Sequence, residues 1–70
     1  MLALKVVING EETLLPEECG TLAGLLRLPE WKDRRLVVEL NGEIVSREEY
    51  DQLSLNNGDR IELVHFVGGG

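Results

Sequence analysis

The residues with the clearest chemical potential stand at the end of the sequence, where Gly68, Gly69 and Gly70 follow a strand-like run at 60–67. Glycine has no Cβ and loses more backbone freedom on ordering than other residues, so we expect a tail that stays flexible unless a partner holds it. Such a tail can enter a channel too narrow for any side chain. The pattern points to the carboxyl group of Gly70 as the working group, and the alternative is a linker or frayed end without chemistry.

Two other side chains could take part in chemistry, His65 and Cys19. His65 is separated from the glycines by two residues and could act as a general base, but a histidine at the rim of a sheet is the favoured interpretation. Cys19 could donate sulfur, yet it has no second cysteine or nearby histidine in sequence, which favours a small, semi-buried residue. No spacing of Cys and His suits a metal site, and no helix follows the glycines as a phosphate loop requires.

The composition is that of a small acidic domain. Seventy residues support one domain with a modest core and little room for an enclosed substrate pocket, which argues against a self-sufficient enzyme. A net charge of −6 argues against nucleic acid, because neutralising phosphates requires clustered Lys and Arg. A single cysteine, no signal peptide and no apolar run of membrane-spanning length predict a reduced, cytoplasmic setting without a membrane partner.

The apolar pattern predicts the elements that must position the tail. A first strand at 2–8, an Asn9-Gly10 turn and a return strand at 11–15 form a hairpin. Thr21 is expected to cap a helix at 22–28. The remaining predicted elements are a strand at 36–40, a second Asn-Gly turn, a strand at 43–45, a helical turn at 47–51 and a strand at 60–67. The spacing of Ser46 and Glu49 predicts a capping box at that helical turn.

This order of elements predicts an α+β fold of the β-grasp (ubiquitin-like) class. We expect a mixed sheet of four to five strands, with the first and last strands parallel at its centre. One main helix packs on one face of the sheet. The domain should comprise residues 1–67, and residues 68–70 should form the flexible C-terminal glycine tail.

The face of the sheet opposite the helix is expected to stay open. Strand alternation places Lys5, Val7, Val37, Glu39, Glu62, Val64 and Phe66 on this face. Its apolar members, Phe66, Val64, Val7 and Val37, form a candidate partner-docking patch, since exposed apolar patches mark interfaces. The alternative is that a loop or an additional strand covers them.

Several segments together resemble a known family. The ending NNGDRIELVHFVGGG, the stretch ELNGEIVSREEY and Thr21 before a Leu-rich helix resemble the sulfur-carrier proteins of thiamin biosynthesis, the ThiS family. The resemblance covers the whole chain in length and element order. Arg47 matches the family by position, and it could contact a partner carboxylate or pair with a neighbouring Glu.

The resemblance implies a carrier that acts as a co-substrate and is not itself an enzyme. An E1-like adenylyltransferase (ThiF-like) would activate Gly70 with ATP, and the carrier itself would bind no cofactor. A persulfide sulfur donor would then replace AMP and leave a thiocarboxylate on Gly70. Thiazole synthase (ThiG-like) would receive the sulfur. Gly68 and Gly69 would be the tail residues that these partners recognise.

Three alternatives stay open on the sequence. Carriers for molybdopterin or tRNA thiolation share the fold and the tail, although the molybdopterin carriers approach the glycines through a proline-containing segment and this chain has no proline after Pro29. A β-grasp module could bind its partner without covalent chemistry. Conjugation of Gly70 to a lysine would produce adducts of higher mass.

Overall fold

The computed structural model of the chain describes residues 3–65. Its main elements are β1 (Leu4–Ile8), β2 (Glu11–Leu15), α1 (Leu22–Leu26), β3 (Leu36–Leu40), β4 (Glu43–Val45) and β5 (Arg60–His65). A 3₁₀ turn, Glu17–Cys19, precedes α1, and a second, Arg47–Glu49, follows β4. The predicted outer ends of the first and last strands, Phe66 and the glycine tail at 68–70 lie outside the described residues.

The strands form one mixed sheet in the order β2-β1-β5-β3-β4. β1 and β5 run parallel at its centre, and the other neighbouring strands are antiparallel. The predicted α+β architecture of the β-grasp class is therefore confirmed, with five strands. The sheet places β5, the strand that leads toward the glycines, between two neighbours.

Both Asn-Gly turns adopt the backbone conformation that a two-residue hairpin requires. Asn9 and Gly10 have φ of 51° and 86°, and Asn41 and Gly42 have φ of 52° and 90°. Positive φ at both central positions matches the right-handed twist of the strands that the turn connects. These turns therefore fix the registers of the β1–β2 and β3–β4 hairpins, as the sequence predicts.

Helix α1 covers one face of the sheet and is shorter than predicted. Thr21 caps it as expected, because its Oγ1 accepts a hydrogen bond from the Gly24 N–H at 3.0 Å. Leu22 and Leu25 are fully buried against the sheet. The helix ends at Leu26, because the next two N–H groups bond to carbonyls three residues back, which tightens the chain into a 3₁₀ turn. The remaining buried core residues are Val6, Ile8, Leu15, Cys19, Val38, Val45, Leu55, Ile61 and Leu63.

The predicted capping box at Ser46 is wrong. The Ser46 side chain makes no capping hydrogen bond, and the turn that follows is a 3₁₀ turn at Arg47–Glu49. The backbone carbonyl of Ser46 accepts the Glu49 N–H at 3.0 Å, so the N–H that a capping box would give to the Ser46 hydroxyl is already used.

No helix within residues 3–65 is long and apolar enough to cross a membrane. Over the same range, no group of three or more His, Cys, Asp or Glu side chains is arranged to hold a metal ion.

Candidate functional site

The site is built around β5, whose end leads toward the glycines. Ile61 is fully buried and Leu63 is 4% exposed, so both side chains anchor the strand in the core. Val64 and His65 are exposed, and His65 lies opposite Leu36 of β3. The strand is thus anchored by two buried side chains, and its last two side chains are both exposed.

The two turn asparagines also hold β5 in place. Asn9 Nδ2 donates to the Leu63 carbonyl oxygen at 3.2 Å, and Asn9 Oδ1 accepts the Leu63 N–H at 2.8 Å. Asn41 Oδ1 accepts the Arg60 N–H at 2.9 Å, and the Asn41 N–H donates to the Arg60 carbonyl oxygen at 2.7 Å. The sequence pattern predicts only a turn position for each of these asparagines and does not predict this second role. A signal was present, because each Asn-Gly turn adjoins a strand that neighbours β5 in the sheet, which brings its asparagine close to β5.

The structure brings together two members of the predicted docking patch. Val37 and Val64 are directly opposed across β3 and β5, and they are 38% and 52% exposed. Val7 is half-buried and lies opposite Arg60, four residues before Val64. At about 3.3 Å per residue, it is roughly 13 Å from Val64 along the strand direction. Phe66 lies outside the described residues.

The same open face carries two further large apolar side chains that sequence analysis missed. Ile44 is 72% exposed and pairs with Glu39, whereas Leu14 is 69% exposed and pairs with Lys5. Ile44 extends the face of Val37 and Val64 onto β4, while Leu14 lies on the opposite edge strand. The signal was the hairpin register, because each Asn-Gly turn fixes which residues oppose one another.

Cys19 belongs to the core. Its side chain is 3% exposed and packs with the buried apolar residues, so it is more enclosed than the semi-buried position predicted. Burial, and secondarily the negative charge of Glu18, raise the pKa of the Cys19 thiol. The thiolate is the nucleophilic form of cysteine, so this environment disfavours both access to Cys19 and its reactivity.

Arg47 does not form the local ion pair that was one of its two sequence interpretations. The ion pair found within residues 3–65 joins Lys5 Nζ to Glu12 Oε1 at 3.5 Å and does not involve Arg47. Glu48 and Glu49 adjoin Arg47 along the chain, yet neither pairs with it. The exposed guanidinium of Arg47 lines two surface clefts beside the start of β3.

Comparison with known proteins identifies one family. The model of the ThiS family matches residues 3–70. The sulfur carrier protein ThiS of Bacillus subtilis (strain 168) is 38% identical over 63 residues, which cover 90% of this chain and 96% of that protein. A crystal structure of the thiamine biosynthesis protein ThiS from Geobacter metallireducens superposes with a TM-score of 0.79. The two sequences are 30% identical, and the superposition covers 96% of this chain and 100% of the Geobacter metallireducens chain.

A longer protein contains a similar stretch. Thiazole synthase from Paramagnetospirillum magneticum (strain ATCC 700264 / AMB-1) is 42% identical over 67 residues, which cover 96% of this chain. This chain spans 20% of the length of that protein. Sequences of this kind therefore occur both as short proteins and within a thiazole synthase.

Proposed function

The chain belongs to the ThiS family, and we propose that it is a sulfur carrier of thiamin biosynthesis that carries the sulfur on Gly70. The observation that carries this proposal is the extent of the family match, which runs from the first described strand through all three glycines. The near full-length similarity to the sulfur carrier of Bacillus subtilis supports it. The geometry agrees, because β5, the strand that precedes the glycines in sequence, is held between two neighbouring strands.

The chemistry of a carboxylate explains why a partner with ATP is needed. An α-carboxyl group has a pKa of about 3.3–3.7, so at neutral pH it is an anion and a poor electrophile. Attack of the Gly70 carboxylate oxygen on the α-phosphorus of ATP forms an acyl-adenylate and releases pyrophosphate. The terminal sulfur of a persulfide then attacks the acyl carbon and expels AMP. A thiol reductant supplies two electrons to break the resulting S–S bond, which leaves the thiocarboxylate on Gly70.

The carrier is a co-substrate in this scheme and performs no catalysis. An E1-like adenylyltransferase (ThiF-like) binds ATP and provides the catalytic groups for activation, and the carrier holds no cofactor. Thiazole synthase (ThiG-like) then accepts the sulfur. The occurrence of a similar sequence within a thiazole synthase supports that partnership, since two functions joined in one chain commonly act together.

The tail and the open face divide the work of recognition. Gly68 and Gly69 lack side chains, so a partner channel can close around them and still reach the carboxyl group of Gly70. Val37 and Val64 form an exposed apolar pair that a partner can contact. Phe66 is proposed to extend this apolar surface toward the tail. Val7, being separated from this pair, is assigned to the periphery of the interface.

The test is a reconstituted reaction followed by intact mass. The chain is incubated with the adenylating enzyme of its host, ATP and a persulfide donor, and parallel samples omit each component in turn. The complete mixture should produce a mass gain equal to the replacement of one oxygen by one sulfur. A chain that gains no sulfur in the complete mixture contradicts the proposed function.

A further inference from the structure

The positive charge of this acidic protein is concentrated at one place. Two adjoining clefts, of 290 and 420 Å³, flank the start of β3 and share Leu36 and Arg47 in their walls. Their linings include four exposed arginines, Arg27, Arg34, Arg35 and Arg47. These are four of the seven Lys and Arg residues of the chain, whereas the same linings hold only two of its thirteen acidic residues, Asp33 and Asp51.

These four arginines, here called the arginine cluster, lack carboxylate partners within residues 3–65. The ion pair found within residues 3–65 joins Lys5 of β1 to Glu12 of β2, toward the opposite edge of the sheet from β3 and β4. Arg34 Nε donates to the backbone oxygen of Glu30 at 2.7 Å, which orients its guanidinium without neutralising it. Asp33 and Asp51 line the first cleft but make no ion pair with the cluster. Each guanidinium therefore keeps donors that a carboxylate can accept in the bidentate manner that arginine favours.

The cluster lies beside the end of β5. Arg35 immediately precedes Leu36, which opposes His65, and the second cleft contains Val37, which opposes Val64. Five residues of the sequence follow His65, and even a fully extended chain of that length spans only about 17 Å. A partner that encloses Gly70 in its reaction centre must therefore contact the surface around His65, where the arginine cluster begins.

We propose that the arginine cluster docks against a carboxylate-rich surface of the adenylating enzyme. This inference rests on the proposed function and adds the chemistry by which that partner is recognised. In the adenylation step the acidic carrier must bring its carboxylate to an enzyme that holds ATP. ATP is itself a polyanion, so the carrier's negative charge opposes this approach. Pairing the arginine cluster with acidic groups orients the carrier tail-first and turns its acidic surfaces away. Charge pairs at the rim of an interface mainly accelerate association and select the partner, which suits a carrier that must leave after each reaction.

The test compares charge reversals inside and outside the cluster. Arg35→Glu and Arg47→Glu change two cluster members, and Arg60→Glu makes the same change at an exposed position of β5 remote from its end. Thermal melts establish that each variant folds. Thiocarboxylate formation is then measured by intact mass over a range of carrier concentrations, at low and at high salt, with the same adenylating enzyme.

We expect each cluster variant to raise the carrier KM by about tenfold at low salt, with kcat unchanged at saturation. The difference from the wild type should shrink at high salt, because screening weakens the wild-type contact. Arg60→Glu should stay close to the wild type.

Four results would overturn the inference while leaving the proposed function intact. These are an unchanged KM in both cluster variants, an equal rise of KM in Arg60→Glu, a fall in kcat at unchanged KM, and a defect confined to transfer to thiazole synthase. In that order, they would indicate that the cluster has no docking role, that net charge has a general effect, that the cluster acts in the chemical step, and that the cluster binds a different partner. A wild-type chain that forms no thiocarboxylate instead contradicts the proposed function, and the inference with it.

Discussion

The carboxamide of Asn9 binds both backbone polar groups of Leu63, donating to its carbonyl oxygen at 3.2 Å and accepting its N–H at 2.8 Å. The two residues are 54 positions apart in sequence. The strand register of β1 with β5 ends at Ile8 and Ile61, and the Asn9 N–H still donates to the Ile61 carbonyl oxygen at 2.9 Å. Asn9 therefore forms the hairpin turn and also contacts the strand that leads to Gly70, through its backbone at Ile61 and through its side chain at Leu63.

Asn9→Gly should remove this support without straining the turn. Glycine accepts the φ of 51° at this position, so the main loss is the two hydrogen bonds to Leu63. We expect the free energy of unfolding to fall by about 1–3 kcal/mol, because the polar groups of Leu63 lose a partly buried partner. Amide hydrogen exchange should accelerate at Leu63 more than at Ile61, whose side chain is fully buried. Unchanged exchange at Leu63 would show that the Asn9 side chain does not hold the strand.

Gly24→Ala should destabilise the protein although alanine is the better helix former. A Cβ at position 24 would lie 3.0 Å from the Glu18 carbonyl oxygen and 3.3 Å from the Cys19 Cα, so the backbone of the preceding 3₁₀ turn must shift. This conflict opposes the gain of about 1 kcal/mol in helix propensity and should exceed it. Thermal or denaturant unfolding measures the net change.

Gly20→Ala provides the matched control for that substitution. Gly20 has φ of −71°, and a Cβ there would meet the Glu17 carbonyl oxygen at an ordinary contact distance of 3.4 Å. Alanine should therefore leave stability unchanged or raise it by up to about 1 kcal/mol, through the reduced freedom of the unfolded chain. If the two substitutions have the same effect, close packing of α1 on the 3₁₀ turn is not the reason for glycine at position 24.

The local features and the sheet topology were predictable from the sequence, whereas side-chain contacts that depend on the register between distant strands were not. The Asn-Gly turns and the Thr21 cap depend on residues within one or two turns of each other, and strand alternation correctly placed Val37 and Val64 on the open face. The bonds from Asn9 to Leu63 depend on the parallel pairing of the first and last strands, whose register no local pattern fixes. That same register separates Val7 from Val64, which alternation alone could not show.

The short elements show a second limit. The Leu-rich stripe predicted a helix to residue 28, but the final N–H groups bond three residues back and α1 ends at Leu26. The Ser46–Glu49 spacing suits a capping box on an α-helix, whereas this turn is a 3₁₀ turn closed by the Ser46 backbone. A pattern of side chains does not distinguish an α-helical turn from a 3₁₀ turn when the segment is only one turn long.

Cys19→Ala should leave sulfur loading intact. Cys19 is buried in the core and its pKa is raised, so it is poorly placed to relay sulfur. Cys19→Ser should also load sulfur but be less stable, because burying a hydroxyl without a partner costs about 1–3 kcal/mol. The measurements are intact mass after the loading reaction and denaturant unfolding of both variants. Loss of loading in a folded Cys19→Ala variant would restore Cys19 as a candidate sulfur relay.

The raised pKa of Cys19 also predicts how stability depends on pH. A thiol whose pKa is higher in the folded state than in the unfolded state stabilises the fold at pH below its ordinary pKa, where both states hold the proton. This contribution is lost as pH rises through the folded pKa. The wild type should therefore lose stability relative to Cys19→Ala between neutral and alkaline pH, and a difference independent of pH would contradict the prediction.

Val64→Asp should fold and bind its partners weakly. Val64 is 52% exposed, so a carboxylate there stays hydrated in the free protein. In a complex it would be buried against Val37 and the partner, and an unpaired buried charge costs several kcal/mol. Binding titrations with the adenylating enzyme and with thiazole synthase measure the loss.

Leu14→Asp is the control for the docking patch. Leu14 is 69% exposed on the same face of the sheet but lies on β2, the edge strand farthest from β3 and β4. We expect this variant to bind both partners normally. Equal losses in the two variants would assign binding to the whole open face, and normal binding by Val64→Asp would place the interface elsewhere.

Fragment mass analysis of the reacted chain shows directly whether the sulfur resides on Gly70. We expect the mass gain to appear only in C-terminal fragments that contain Gly70. A variant lacking Gly70 should keep its stability and acquire no sulfur, because its terminus is displaced by about 3.3–3.6 Å from the reacting position. Sulfur found on the fragment that contains Cys19, or normal loading of the shortened chain, would show that Gly70 does not carry the sulfur.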